Sequence, residues 1–234
     1  MTYYCIALPL SQSFEQELSR LSQQLNAGEK RSLSEQTGKL MGEASCQIID
    51  GVFQHMVEQL LQIQGLTEPK CASLLASLEH ISAVKAVLRK YTGWAVSWFG
   101  NERLTPVVNM YASMIQRAEN GQPYLMFDLP QSTAERALLA LCSLEHGKVS
   151  NAEGAMESLV EVTDIGVDAL IRQPKKLLHF NFVADKTLNG VINMTTAMAY
   201  KNLRKLGQQL DPLLFKAVAT HLQQFIQEKK TDTL

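Results

Sequence analysis

The chain has 234 residues, 46% of them hydrophobic, so it can bury a sizeable core. Its formal net charge of −1 excludes a general electrostatic drive towards nucleic acid or anionic lipid. The charge is unevenly spread, however: the stretch from Ile171 onwards holds ten Lys/Arg against four Asp/Glu, a net +6, and the remainder nets −7. Two parts that attract each other across one interface account for that asymmetry.

The first ten residues, MTYYCIALPL, lack a basic n-region, so no signal peptide is expected. Thr2 to Leu8 is apolar and partly β-prone, but seven residues cannot found a sheet, and an extended arm lying on helices is expected. Ser13 to Leu25 reads as a short amphipathic helix carrying Phe14, Leu18, Leu21 and Leu25, stopped by Asn26-Ala27-Gly28.

Leu33 to Gly100 reads as two long helices folded back on each other. In the first, Ser34 to Gln64, Leu40, Met41, Ala44, Ile48, Val52, Met56, Leu60 and Ile63 recur at spacings of three and four. Gly38, Gly42 and Ser45 lie on or beside this face, where small residues let another backbone come close. Gly65 ends the helix and Thr67 caps the next, with Pro69 in its first turn. Leu74, Leu78, Ile81, Val84, Leu88, Tyr91, Ala95 and Trp98 mark its buried side. Each helix would span roughly 45 Å, whereas a compact domain of this length has a radius of gyration of only about 17–18 Å, so the pair is the long axis of an elongated bundle or Gly93 bends the second helix.

Thr105-Pro106 starts a further helix that Asn120-Gly121 ends. Gln122 to Pro130 is irregular yet apolar, and it reads as a plug in the core. Ser132 with Glu135, and Ser150 with Glu153, form capping boxes for helices ending at His146 and before Pro174. Lys175 to Leu210 holds a third long helical pattern, and Asp211-Pro212 caps a last helix reaching about Lys229. The fold class is therefore all-α: an elongated antiparallel bundle of about eight helices with a long central helical hairpin. It forms a single domain over residues 1–234, with a soft boundary near 121–131. Ser73–His80 (SLLASLEH) echoes Leu139–His146 (LALCSLEH), but the flanks do not match, so chance explains it.

Chemical signatures are sparse. No glutamate lies three residues before a histidine, and no phosphate-binding, dinucleotide-binding or nucleophile-elbow motif occurs. His55 and Glu58 could face one way on a helix, but a lone pair is not a metal site. No metal, cofactor or catalytic residue is expected. The four cysteines show no C-x-x-C pairing, and no apolar run reaches the ~18 residues that cross a bilayer. A cytoplasmic protein without a membrane span or a nucleic-acid partner is expected.

Two features could form a site. Tyr91, Trp94 and Trp98 share a helix face, suited to a flat or apolar ligand or a subunit contact, and both tryptophans should be shielded. On the third long helix Asn181, Asp185, Asn189 and Asn193, then Thr196 and Tyr200, form a polar but almost uncharged ladder. That pattern suits a buried hydrogen-bond network or the polar wall of a pocket. The expected function is non-enzymatic binding of a partner protein or a small apolar ligand. One alternative is an all-helical enzyme or cofactor-dependent protein with a pocket between the long helices, Asp185 acting with His179 or His55. Another is a homodimeric scaffold whose long helices pair across a two-fold axis.

Overall fold

The computed structural model describes residues 2–147, 152–209 and 212–230. It is 74% helical, and its helices number eight when each run interrupted by a π turn is counted once. The first half runs β1 (Thr2–Pro9), α1 (Gln12–Asn26), α2 (Ser34–Ile49), a π turn (Asp50–Gln54), α3 (His55–Leu61), α4 (Glu68–Val96), α5 (Asn101–Ser113) and β2 (Ile115–Arg117). The second runs β3 (Pro123–Leu129), α6 (Gln131–Glu145), α7 (Ala152–Val167), a π turn (Asp168–Arg172), α8 (Gln173–Leu177), α9 (Phe182–Gln209), α10 (Pro212–Gln223) and β4 (Ile226–Lys230).

The central hairpin is present. α2 packs along α4, and the glycines explain how closely. A Cβ built on Gly38 would sit 3.1 Å from the Gly93 Cα, and one on Gly42 would sit 3.6 Å from the Arg89 Cα. The helix from Ser34 runs on through its π turn and stops at Leu61, and Gly65 turns the chain at φ +89°. α4 begins as expected with Pro69 in its first turn, but Thr67 makes no side-chain cap bond.

Three expectations fail at strands. The arm Thr2–Leu8, the plug Gln122–Pro130 and the end of the last helix join a four-stranded antiparallel sheet of order β2-β3-β1-β4. Ile6 pairs with Phe127 on one side and Ile226 on the other. Cys5, Ala7 and Met126 cover one face, while Ile6, Leu8, Leu125 and Leu129 enter the main core. β4 carries the sequence Ile-Gln-Glu-Lys-Lys on an edge, where charge guards against pairing with another chain. Likewise α5 starts at Asn101, takes Pro106 in its second turn and ends at Ser113, which frees Ile115–Arg117 for β2.

Further boundaries move. α6 starts at Gln131 with Pro130 at its N-cap and no side-chain cap, so Ser132 lies inside the helix. Pro174 does not stop the α7 run, because it stands in the first turn of α8, where no N–H is needed. The break falls instead at His179, whose φ is 49°. The Ser150 and Asp211 caps lie outside the described residues.

The two halves repeat one another. Each reads strand, helix, helix–π turn–helix, long helix, helix, strand, and both π turns begin with aspartate. Exchanging β1 with β3 and β2 with β4 maps the sheet order onto itself reversed, the behaviour of an internal two-fold axis. α1 packs on α5 as α6 packs on α10, and α2 on α4 as α7 on α9. The SLLASLEH echo joins α4 to α6, which are not equivalent, and so it is no part of this repetition.

Candidate functional site

Where the halves meet, a cavity of about 140 Å³, partly open to the surface, lies between α4 and α9. Leu88, Tyr91 and Thr92 line it from α4, and Leu188, Val191, Ile192 and Thr195 from α9. Met41 of α2, Val107 of α5 and Leu170 of the second π turn complete its apolar wall. Below it Tyr111 of α5 is buried and donates its hydroxyl to the Leu170 carbonyl. Burial pushes that phenol well above its ordinary value, so it is an anchor and not an acid.

The anchor has an internal counterpart. In the other half, buried His221 of α10 donates Nε2–H to the carbonyls of Gly51 and Val52, at 3.1 and 3.0 Å, in the first π turn. Gln224 Nε2 donates to its Nδ1 at 3.3 Å. A π turn loosens the ladder of carbonyls, and in each half the opposite half supplies the donor. Burial lowers the His221 pKa against the raising effect of the two carbonyls, so the ring is held neutral.

Polar groups border the cavity in two clusters. Lys175 of α8 lines the cavity and pairs with Asp185, whose second oxygen accepts from Asn189 Nδ2 at 2.8 Å. One turn beyond Thr196, the Tyr200 hydroxyl donates to Asp164 Oδ1 at 2.7 Å, and Arg172 donates to the same oxygen at 2.9 Å. The Tyr200 bond and then Arg172 hold the Asp164 carboxyl below its ordinary value, against some desolvation. Burial and the Asp164 bond raise the Tyr200 phenol.

The polar ladder is thus not one network. Asn181 is exposed and caps α9, its Oδ1 accepting from the Ala184 N–H at 2.9 Å. Asp185 and Asn189 belong to the Lys175 pair, Asn193 is exposed, and Tyr200 belongs with Asp164. Of the residues not singled out in the sequence, Lys175 and Tyr111 line the cavity, while Asp164, with Arg172, holds Tyr200 outside its lining. Arg172 is the last residue of the π turn and Asp164 precedes that turn on α7, so the turn breaks the 3.6-residue period that would relate them.

The aromatic trio forms an edge-to-face chain. Tyr91 and Trp94 centroids lie 6.3 Å apart, and those of Trp94 and Trp98 lie 5.4 Å apart. Only Tyr91 reaches the cavity. Trp98 is 58% exposed, contrary to the expected shielding, because Phe99 takes the inward position and meets Phe180 edge-on at 4.7 Å. His55 and Glu58 do not pair; Glu58 accepts from Gln54 at 2.7 Å. Among the described residues no three His, Cys, Asp or Glu side chains are placed to hold a metal ion. Comparison with family models, with curated proteins and with solved structures finds no match to this chain.

Proposed function

We propose that the chain is a non-enzymatic binder of a small, largely apolar molecule, held between α4 and α9. The supporting observation is the apolar 140 Å³ cavity at the junction of the two halves. A cavity of roughly 150 Å³ lined by aliphatic and aromatic groups is enough to take up benzene or xenon. Ser45, Thr92, Thr195, Thr196 and the Lys175 side chain are polar elements of its wall, with the Ser45 and Thr196 hydroxyls donating to the Met41 and Ile192 carbonyls of their own helices, so a ligand with one polar end fits best. The neighbouring ionisable groups are committed to one another: Asp185 to Lys175, and Asp164 to Tyr200 and Arg172. Among the described residues the one buried side-chain polar atom without a partner is Gln24 Oε1, which does not line the cavity. A pocket without a free acid, base or nucleophile favours binding over catalysis.

The test is a titration with benzene followed by amide NMR. Shifts centred on Leu88–Thr92 and Leu188–Thr195 are expected, and Val191→Phe should fill the space and abolish them. That variant should cost less than about 1 kcal/mol, since an added side chain is costly only in a packed core. Absence of shifts in the parent chain, or a loss of several kcal/mol in Val191→Phe, would refute the proposal.

A further inference from the structure

The outer sides of the same two helices carry a second feature. α4 is 29 residues long, yet only Leu74, Ala95 and Val96 of it are buried. Its exposed side presents Ala72, Leu75, Ala76, Ala83 and Ala86. α9 exposes Val183 at 72%, Met194 at 57% and Met198 at 42%, with Gly190 and Ala197 between them. From Thr187 to Tyr200 α9 has no charged residue, and from Cys71 to Val84 α4 has only Glu79. Charges return at the ends, at Arg89 and Lys90 on α4 and at Lys186 and Lys201 on α9. A centre with one charge, Glu79, inside a charged rim has the anatomy of a protein interface.

We infer that this face docks a second copy of the chain, α4 and α9 of one copy packing on α9 and α4 of the other. Three observations select this occupant. First, the internal two-fold exchanges the two helices, so a second copy turned onto this face can set α4 against α9 and α9 against α4 in equivalent surroundings. Second, each helix is about 40 Å long and about 10 Å across, so the pair presents roughly 800 Å², the share of one partner in a standard stable interface. Third, Gly190 sits mid-helix in open space, with nothing within 4 Å of where its Cβ would be. No contact inside the chain calls for glycine there, and close approach of another helix does. A lipid surface fits less well: beside Leu75, Val183, Met194 and Met198 the face carries Ala72, Ala76, Ala83, Ala86, Gly190 and Ala197, small residues that let another helix come close but give a lipid-lying helix little to bury. The length and hydropathy of Glu68–Val96 would allow it to cross a membrane, so lipid belongs among the outcomes of the test.

Sedimentation velocity on the full chain across the micromolar range should show a species of twice the chain mass. Ala83→Arg and Ala197→Arg, exposed in the single chain, should each raise the dissociation constant about 100-fold, as unpaired charges at an interface centre do. Gly190→Leu cannot fail for want of space: it should raise the melting temperature of the single chain and still weaken the dimer. A parent chain that stays monomeric overturns the inference, and so does a dimer indifferent to all three substitutions. Flotation of the parent chain with vesicles of equimolar phosphatidylcholine and phosphatidylglycerol, lost in the same variants, overturns it in favour of a lipid surface.

Discussion

Tyr111 and His221 hold equivalent posts in the two halves with different chemistry, and the difference is testable. Both cross from one half to a carbonyl of the other half's π turn. Only the histidine titrates near neutrality. Its folded pKa lies below the unfolded value of about 6.5, because burial penalises the cation and the neighbouring His55 adds to that penalty. The unfolded chain therefore takes up a proton that the folded chain refuses. Stability is fully present above about pH 6.5 and falls as pH drops through the folded pKa. Denaturant melts at about pH 7.5 and about pH 5.5 should show this loss, and His221→Gln should flatten it. Asp185 gives a second expectation at this scale. Its removal leaves the mostly buried Lys175 ammonium without a counter-charge. Because the Asp185 side chain is itself 43% exposed, Asp185→Ala should cost about 1 kcal/mol, at the low end for a hydrogen-bonded charge. A melt midpoint equal to that of the parent chain would show the pair to be an ornament of the surface.

At the level of elements, the α2–α4 crossing depends on the absence of side chains. Gly38 faces the Gly93 Cα, and helix backbone cannot yield as a flexible side chain would. Alanine is the better helix former by about 1 kcal/mol, yet Gly38→Ala should destabilise by about 1–3 kcal/mol, because overpacking outweighs propensity. Gly154→Ala is the control: the same change at an exposed helical site, with nothing within 4 Å of the added Cβ, should stabilise by up to about 1 kcal/mol. Equal effects of the two substitutions in urea melts would mean that the close approach carries no energetic weight. The glycines beside the α2 apolar stripe were legible in the sequence because a helix face repeats at a fixed local period. The π turns were not, since the extra residue leaves the apolar spacing of Ile48, Val52 and Met56 looking like ordinary helix.

For the whole molecule, the packing of the two halves on each other places the cavity. It lies where the C-terminal half of α4 passes the N-terminal half of α9, with walls from both halves. Helices, their approximate number and the central hairpin were determined by the sequence alone, because apolar residues at spacings of three and four encode a buried face within a few turns of chain. The inward direction of Tyr91, which lines the cavity, was legible for the same reason. The sheet was decided only by tertiary structure. β1 finds its partners at residues 124–129 and 226–230, and no local pattern in TYYCIALP announces them. Hydrogen bonds between strands are satisfied at long range, so an isolated apolar segment reads equally as an arm, a plug or a strand. The polar residues of α9 needed the fold for a related reason. Their spacing put Asn181, Asp185, Asn189 and Tyr200 near one stripe, but a cap, a lysine on α8 and an aspartate on α7 claimed them separately. A side chain's period fixes the direction in which it points; its partner is set by whatever the rest of the chain brings there.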